Sequence, residues 1–394
     1  MDVKPGYKQT EVGVFPEAWQ VRPFGELFAF RNGVNADKAA YGQGVRFINV
    51  LEPITYSHLH GPEIPGQVTL PERLIASYAV QHGDVLFNRT SETEDEVGLS
   101  ATFVGAERVV FGGFVIRGRP TDRSFDANYS GYALRAPFIR SQIIPMGQGA
   151  IRANIGQQNL SLVVAPIPPL PEQRAIAEAL SDVDALLGAL DRLIAKKRDL
   201  KQAAMQQLLT GQTRLPGFRG EWEAKRLATV CSMKSGEGIT SADIDDLSKY
   251  PCYGGNGLRG FAARFTHIGA YALVGRQGAL CGNVLGVHGT FFASEHAIVV
   301  TASPQTDIRW LTCVLGEMRL NGYSESSAQP GLSVAKLMHL EVAVPPTKGE
   351  QTAIAEVLDG MDAELSALDQ RRTKTRALKQ AMMQELLTGR TRLL

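Results

Sequence analysis

The sequence of 394 residues predicts an α+β protein: two small domains with twisted sheets, separated by two long antiparallel coiled-coil helices and related by a pseudo-twofold internal repeat. The main observation is a duplicated stretch, residues 172–215 and 350–393, which agrees at 28 of 44 positions with a constant offset of 178 residues. The segments that precede each copy are instead rich in glycine and in short strand-like runs. The chain is therefore interpreted as segment, helix, segment, helix.

Both copies of the repeat have the heptad spacing of a coiled coil, with apolar residues alternately four and three positions apart. This pattern predicts that the two helices pack on each other, antiparallel if the intervening domain folds back. Leu200 lies one position before the seam position Lys201, which predicts a stutter there. Pro171 fits the first turn of a helix, and Gly211 and Gly389 fit left-handed residues after helix ends. The predicted seam residues are Ile176, Leu180, Val183, Leu187, Leu190, Ile194, Ile354, Leu358, Met361, Leu365 and Leu368.

The two variable segments share their edges but not their middles. Trp19 and Trp222 occupy matching places near the beginning of each segment, and a Leu-Ser pair, an apolar run and a double proline close each one. Shared edges around dissimilar middles predict one scaffold that carries two different sites. The predicted boundaries are 1–171 for the first domain, 172–213 for the central helix, 214–349 for the second domain and 350–394 for the C-terminal helix.

Composition and motifs indicate a soluble protein without a catalytic centre. Hydrophobic residues make up 44% and charged residues 21% of the chain, and neither a signal-peptide pattern nor an apolar run of about 18 residues occurs, so we expect a cytoplasmic protein without membrane contact. The net charge of +1 does not predict a strongly basic surface. The sequence has no phosphate-binding loop of an ATPase, no Asn/Asp-Pro-Pro-aromatic motif of a DNA methyltransferase and no metal-ligand spacing. We therefore expect no enzymatic activity, metal or cofactor in this chain.

Several strings resemble the specificity subunit of type I restriction–modification systems. They are the opening GYKQTEVGVFPEAWQVRPFGELF, the strings PPLPEQRAIAEAL and LLTGQTRLPGF, and the second copies of both. GDVLFNRT (Gly83 to Thr90) and YALVGRQGALCGNV (Tyr271 to Val284) resemble stretches of the recognition domains of that family. The resemblance extends over the whole chain in order, but the middles of the domains differ, so a DNA target is not carried over.

The resemblance implies a DNA-binding subunit that directs a type I methyltransferase and restriction complex to a bipartite, interrupted DNA sequence. The expected partners are double-stranded DNA and two adenine methyltransferase subunits; the presence of two restriction subunits is left open. S-adenosylmethionine, ATP and magnesium would belong to those partners, and the paired helices would act as a ruler for the spacer. Apolar residues outside the seam are expected to dock helices of a partner: Leu186, Leu193, Leu208, Leu209, Leu386 and Leu387.

Candidate DNA contacts are polar side chains on predicted loops, because such side chains reach base edges in the major groove. Residues 1–171 contain 12 Arg and only 3 Lys, and arginine suits bidentate contacts to guanine. In the first domain the candidates are Arg31, Asn88, Arg89, Arg152, Asn154, Gln157 and Gln158. In the second domain they are Asn256, Arg259, Arg276, Gln277, His296 and Gln329.

Two other interpretations remain open from the sequence. The first is a stand-alone DNA-binding regulator of the same architecture, although the near-neutral charge argues against tight binding without a partner. The second is a coiled-coil adaptor, which would not need two dissimilar domains with polar loops.

Overall fold

The computed structural model describes residues 4–147, 149, 152–255, 257–278, 280–324 and 331–393. The chain divides into two compact units, Met1–Ala189 with Arg372–Leu394 (unit 1) and Leu190–Arg371 (unit 2). Each unit contains one variable segment together with part of both copies of the repeat, whereas the sequence predicted four consecutive segments. The difference arises because each long helix contributes residues to the core of both units.

The first variable segment begins with a hairpin and ends with a strand that leads into the first long helix. Its strands are β1 Tyr7–Thr10, β2 Gly13–Pro16, β3 Gln20–Pro23, β4 Phe28–Asn32, β5 Tyr41–Ile48, β6 His58–Leu59, β7 Gln67–Val68, β8 Val85–Asn88, β9 Thr90–Ser91, β10 Ser100–Phe103, β11 Val109–Phe111, β12 Val115–Pro120, β13 Ala153–Asn154 and β14 Val164–Ile167. Its helices are α1 Phe24–Leu27, α2 Leu51–Thr55, α3 Glu72–Tyr78, α4 Ala127–Ala133, α5 Pro137–Ile143 and α6 Gln157–Leu162. The long helix α7, Leu170–Leu209, follows.

The second variable segment has longer strands and leads into the second long helix. Its strands are β15 Glu223–Arg226, β16 Cys231–Ser235, β17 Ile244–Asp245, β18 Tyr250–Gly254, β19 Gly257–Ala262, β20 His267–Gly275, β21 Val284–Ala293, β22 Ala297–Ala302 and β23 Glu341–Val344. Its helices are α8 Leu227–Val230, α9 Ile308–Glu317 and α10 Val334–Met338. The long helix α11, Lys348–Leu386, follows.

A mixed sheet forms the middle layer of each unit. In unit 1 the strand order is β4-β12-β8-β10-β6, with only the β10–β6 pair parallel among the described strands of this sheet. In unit 2 the order is β16-β22-β20-β21-β18-β19-β17. Alternate residues of the central strand β8 enter different cores, Val85 and Phe87 on one face and Leu86 on the other, so the sheet is covered on both faces. Strand β20 behaves in the same way, with Val274 on one face and Leu273 on the other.

The segment edges that matched in sequence pair with each other in space. In unit 1, β3 near the beginning of the segment runs antiparallel to β14 at its end, and in unit 2, β15 runs antiparallel to β23. The double prolines that follow β14 and β23 stop each strand and lead the chain into the long helix. The shared edges therefore close each unit where it meets a helix.

The two long helices run antiparallel within each unit. In unit 2, Lys201 Nζ lies 2.5 Å from Asp362 Oδ1. In unit 1, Lys379 Nζ lies 2.7 Å from Asp184 Oδ1. These two ion pairs are equivalent contacts of the repeat. Lys379 is the counterpart of Lys201, and Asp362 is the counterpart of Asp184, both at the repeat offset of 178 residues. The predicted α+β fold with paired antiparallel helices is confirmed. None of the described helices is both long enough and apolar enough to span a membrane.

The predicted stutter at Leu200 is wrong. Leu200 is 46% exposed, whereas Lys197 and Lys201 are only partly exposed and continue the heptad seam. Lys197 also reaches across to Glu364, with Nζ 2.7 Å from Oε1. A lysine can occupy a seam position because its aliphatic stem covers apolar surface while its ammonium group reaches a carboxylate at the rim. The seam residues predicted from the sequence are all buried or partly buried.

The predicted set of exposed docking leucines requires a correction. Leu186 and Leu193 are 39% and 40% exposed, as expected for residues outside the seam. The other members are buried, because the last turn of each long helix packs into the core of a unit. The buried members are Leu208, Leu209, Leu386 and Leu387.

Both long helices begin with a buried glutamate that is held by a tryptophan and an arginine. In unit 1, Glu172 is 2% exposed and accepts hydrogen bonds from Trp19 Nε1 at 3.0 Å and from Arg392 Nη2 at 2.8 Å. A second nitrogen of Arg392 also contacts the carboxylate, so the pairing is bidentate. The arginine follows α11, so the end of one copy of the repeat stabilises the beginning of the other.

Unit 2 repeats this contact. Glu350 is 1% exposed and accepts from Arg214 Nη2 at 2.8 Å and from Trp222 Nε1 at 3.4 Å. Arg214 follows α7, so here the end of the first copy stabilises the beginning of the second. We call the two contacts, Trp19–Glu172–Arg392 and Trp222–Glu350–Arg214, the glutamate clamps.

The glutamine that follows each clamp glutamate fixes a helix of the domain. Gln173 Oε1 accepts from Asp126 N, and Gln351 Oε1 accepts from Asp307 N, both at 2.8 Å. Asp126 and Asp307 in turn cap α4 and α9 through hydrogen bonds to backbone N–H groups of the first turn. The Glu-Gln pair therefore joins each long helix to a helix of the domain, which accounts for its presence in both copies.

Replacing Arg392 tests the first clamp. We expect Arg392→Ala to lower the free energy of unfolding by about 2–4 kcal/mol, because it leaves the Glu172 carboxylate buried without its cation; one-third exposure of Arg392 keeps the loss below that of a fully buried pair. The matched control is Arg390→Ala, whose exposed guanidinium lies 3.9 Å from Glu385, and its effect should stay within about 0.5 kcal/mol. Urea denaturation measures both, and equal losses would contradict the clamp.

The α9 cap gives a pH-dependent prediction. Burial disfavours the charged form of Asp307, but hydrogen bonds from Thr352, Trp310 and Arg309, together with the charge of Arg309, outweigh it and hold the pKa of Asp307 below its usual value. Such a carboxyl stabilises the fold above its unfolded pKa of about 3.9, and the contribution is lost as pH falls through the lower folded pKa. Asp307→Ala should therefore cost about 1–2 kcal/mol at pH 7 and less at pH 3. Denaturation curves at both pH values check this, and a deficit that grows on acidification would refute it.

Candidate functional site

Two interior strands, β8 in unit 1 and β20 in unit 2, end with the same backbone contact. Strand β8 is followed by Arg89, whose N–H donates to the carbonyl of Phe114 at 2.8 Å. Strand β20 is followed by Arg276, whose N–H donates to the carbonyl of His296 at 2.9 Å. In both cases the acceptor directly precedes the neighbouring antiparallel strand, β12 or β22. The two arginines therefore occupy equivalent positions, and so do Phe114 and His296.

The carbonyl groups of the two arginines are also used in the same way. Arg89 O accepts from Ile155 N at 3.0 Å, and Arg276 O accepts from Leu332 N at 2.9 Å. These bonds place Ile155 and Leu332, which precede α6 and α10, beside the ends of β8 and β20.

The next residues along the chain pair as well. Thr90 lies opposite Asn154 in the β9–β13 ladder, and its hydroxyl donates to Asn154 Oδ1 at 2.6 Å. In unit 2, Gln277 and Gly331 form an antiparallel bridge at the equivalent position, directly after Arg276 and directly before Leu332. We refer to this shared set of backbone hydrogen bonds as the frame. We call the four matched positions of each unit the matched edge: Arg89, Thr90, Phe114 and Asn154 in unit 1, and Arg276, Gln277, His296 and Gly331 in unit 2.

The turn on the other side of the matched edge is equivalent too. Gly33 N donates to Val115 O at 3.2 Å, and Gly236 N donates to Ala297 O at 2.9 Å. A side chain at either glycine would collide with the backbone of the opposite turn, since an added Cβ would lie 2.0 Å from Gly112 O or 2.3 Å from Ala293 O. The frame thus depends on glycine at this position in both units.

Most of the polar candidates of unit 1 lie at or beside the matched edge. Arg89 Nη1 donates to Gly113 O at 3.3 Å, which holds the guanidinium at the β11–β12 turn. Arg152 is exposed and lies 3.4 Å from Glu92 Oε1, and its carbonyl accepts from Asn154 Nδ2 at 3.0 Å. These side chains combine cationic, amide and carboxylate groups, which is the mixture that reads base edges.

Gln157 and Gln158 begin α6 beside the same edge. The amide of Gln157 faces Phe30 O and Asn32 N, and with its nitrogen toward the carbonyl it bonds to both, at 3.3 and 3.2 Å. Gln158 is exposed. Gln157 is therefore engaged within the fold, whereas Gln158 is accessible to a ligand.

Two candidates of unit 1 require correction. Asn88 is fully buried, and its Nδ2 donates to Glu96 O at 3.1 Å, so it cannot reach a base. Arg31 donates to Ser77 O and Ser77 Oγ, both at 2.7 Å, and its guanidinium lies 4.5 Å from the centre of the Tyr78 ring. Arg31 therefore secures the end of α3. Sequence alone could not exclude either residue, because strand-end burial depends on the loops that fold over it.

In unit 2 the candidates gather around Arg276. Arg276 Nη1 donates to Ser235 Oγ at 3.1 Å, Gln277 is exposed, and His296 Nε2 lies 3.2 Å from Glu295 Oε1. Arg259 is exposed, and its stem covers Gly254, where an added Cβ would lie 2.6 Å from Arg259 Cδ. The remaining candidates, Asn256 and Gln329, lie outside the described residues.

A cavity of about 490 Å³ adjoins the matched edge of unit 1 and contains residues that sequence reasoning missed. Phe114 is 53% exposed and Leu51 is 68% exposed, although both are large and apolar. The sequence offered one signal for Phe114, because the two glycines before it indicate a turn. Its exposure could not be deduced from the sequence. The cavity is lined by Asn49, Val50, Leu51, Ile54, Thr90, Ser91, Glu92, Thr93, Glu96, Phe114 and Arg152.

Solved structures show the same fold. The S subunit of a type I restriction-modification system from M. genitalium aligns over 98% of both chains with a TM-score of 0.64 and 16% identity. A second structure, described under complex assembly and conformational transition of the type I R-M system, aligns over 95% of this chain and 99% of that chain with a TM-score of 0.59 and 16% identity.

Curated relatives match parts of the chain. The type I restriction enzyme EcoprrI specificity subunit of Escherichia coli is 43% identical over 146 residues, which is 36% of each chain. The putative type I restriction enzyme MjaX specificity subunit of Methanocaldococcus jannaschii is 29% identical over 211 residues, 52% of this chain and 48% of the relative. The matched parts thus span about a third to a half of these relatives.

A family model covers most of the chain in two blocks. The model of the type I restriction modification DNA specificity domain matches residues 16–196 and 219–376. Each block comprises one variable segment and part of the long helix that follows it. With the fold and the duplicated frame, these matches place the chain in a family: it belongs to the type I restriction modification DNA specificity domain family.

Proposed function

We propose that this chain is the non-catalytic subunit that directs a type I methyltransferase to a bipartite, interrupted DNA sequence, with each unit reading one half. The observation that carries the proposal is the matched edge: one backbone frame occurs in both units, while most of its side chains differ. A frame kept constant holds a reading surface in one geometry, and different side chains on it read different bases. An enzyme with two active sites would instead repeat the reactive side chains.

The charges at the two edges fit contact with base edges better than contact with phosphate alone. A surface that only neutralises phosphates needs cations. Here Glu92 lies beside Arg152 and Glu295 lies beside His296, so each edge also carries a carboxylate. With a net charge of +1, the chain supplies little long-range attraction for DNA. Tight binding is therefore proposed to require a basic partner.

The exposed faces of the long helices are the proposed docking surface for two methyltransferase subunits. Leu193 and Leu200 lie seven residues apart on α7 and are 40% and 46% exposed, and Leu378 on α11 is 55% exposed. Exposed leucines at heptad spacing, outside the seam that already pairs the two helices, can pack against an additional helix of a partner. S-adenosylmethionine chemistry is assigned to these partners, and restriction subunits with ATP and magnesium would join through them.

The proposal is tested by substituting one arginine in each unit and measuring whether recognition of only one half-site is lost. We expect Arg89→Ala and Arg276→Ala each to weaken binding to the intact site about fivefold to 150-fold, because a bidentate arginine contact contributes about 1–3 kcal/mol. When the half-site that one unit reads is scrambled, the substitution in that unit should no longer weaken binding. The substitution in the other unit should weaken binding as before. Binding is measured with the chain in complex with the methyltransferase subunit of its own system.

Exposed arginines outside the matched edges provide the control. Arg123→Ala in unit 1 and Arg219→Ala in unit 2 should change affinity much less, and equally for both scrambled duplexes. Equal loss on both half-sites for Arg89→Ala and Arg276→Ala would overturn the assignment of one half-site to each unit.

Lengthening the helices tests the proposed ruler. Inserting four residues after Leu200 and four after Leu378 adds about one turn, or about 6 Å, to each long helix, and should change the preferred spacer length. Mapping methylated adenines across a genome that carries the variant measures this directly. The matched control inserts the same four residues after Gly217, in the loop between α7 and β15, and should leave the spacer unchanged. An unaltered spacer in the helix variant would mean that the helices do not set it.

A further inference from the structure

Phe114 is an apolar side chain at a position that the second unit fills with a polar one. It is 53% exposed at the tip of the turn between β11 and β12. Its carbonyl accepts from Arg89 N, just as that of His296 accepts from Arg276 N. Leu51, which is 68% exposed, lines the same cavity, and exposed large apolar side chains that are grouped around one cavity indicate a ligand.

The surroundings of Phe114 exclude some ligands. Phe114 and Leu51 form the apolar side of the 490 Å³ cavity, and Thr90, Arg152 and Glu92 contribute polar groups to it. Glu96 lines the same cavity, so two carboxylates face one guanidinium there. Carboxylates repel the phosphodiester backbone and accept hydrogen bonds from base amino groups. A base edge in the major groove fits this arrangement, whereas a phosphate does not.

We propose that Phe114 is a specificity-determining residue that packs against the 5-methyl group of a thymine in the half-site read by unit 1. This inference rests on the proposed function and assigns it a chemical contact. The methyl group of thymine is the apolar group that the major groove presents, and the other groups of the base edges are hydrogen-bond donors or acceptors. Phe114 has no polar side-chain atom, and its carbonyl already accepts from Arg89. It therefore reads the methyl group.

The neighbouring arginine places this thymine. Arg89 follows β8, but its Nη1 donates to Gly113 O at 3.3 Å, so the guanidinium lies against the turn that carries Phe114. Because the guanidinium is bonded to the residue next to Phe114, we expect both side chains to contact the same or adjacent base pairs. The thymine is thus expected within one step of a base pair that Arg89 reads.

Replacing thymine by uracil isolates the methyl group, because the two bases differ in nothing else. Duplexes that carry the mapped target are prepared with uracil at one position of the first half-site at a time, and are bound to the chain in complex with its methyltransferase subunit. We expect one position at which uracil weakens binding about fourfold, the value for loss of one buried methyl group. Phe114→Ala should weaken binding to the thymine duplex at least as much and should no longer distinguish uracil from thymine.

Two further variants separate this contact from a general effect on folding. Phe114→His introduces the residue of the matched position in unit 2, keeps a planar ring and should also lose the distinction between thymine and uracil. Leu162→Ala removes another exposed apolar side chain of unit 1, outside the cavity, and should keep it. Uracil in the second half-site should affect the Phe114 variants and the unaltered chain alike.

Several outcomes would overturn the inference. One is an unaltered chain that prefers its target but tolerates uracil at every position of the first half-site. Another is a Phe114→Ala chain that still distinguishes thymine from uracil. A third is loss of the methyltransferase subunit from the Phe114→Ala complex, which would make Phe114 a protein contact. A complex that does not prefer its target over a scrambled duplex would refute the proposed function itself, together with the inference.

Discussion

A buried glutamate at the beginning of each long helix is the contact on which the rest of the fold depends. Glu172 and Glu350 are almost inaccessible to solvent, and an unpaired buried carboxylate costs several kcal/mol. Each is neutralised by an arginine that follows the other helix, Arg392 or Arg214. The fold can therefore satisfy both charges only when each unit combines the beginning of one copy of the repeat with the end of the other.

The clamps also explain why the helix pair is antiparallel. A heptad seam is compatible with either direction, because apolar packing does not distinguish them. The arginines of the clamps bring the end of one helix to the beginning of the other within each unit, and that is possible only in the antiparallel arrangement. The ion pairs of Lys201 with Asp362 and of Lys379 with Asp184 then contribute to the register at matching places. Their lysines stand at seam positions that apolar residues would otherwise fill.

The matched edge illustrates how one backbone can present two surfaces. Backbone hydrogen bonds fix the positions of Arg89 and Arg276, of Phe114 and His296, and of the loops that pair with them. Since these bonds involve only N–H and C=O groups, the side chains at those positions can differ without altering the frame. An exception is the glycine at the neighbouring turn, where any side chain would meet backbone. Variation of sequence within a constant frame is what a pair of different reading surfaces requires.

The sequence by itself determined the duplication, the helical seam, and the left-handed ends at Gly211 and Gly389. These features follow from local spacing and backbone conformation, so they can be deduced without the fold. Only the tertiary structure decided that Asn88 is buried, that Arg31 secures α3, that Leu200 is outside the seam and that Phe114 is exposed. Burial depends on which distant segments cover a residue, and the sequence pattern around that residue does not contain this information.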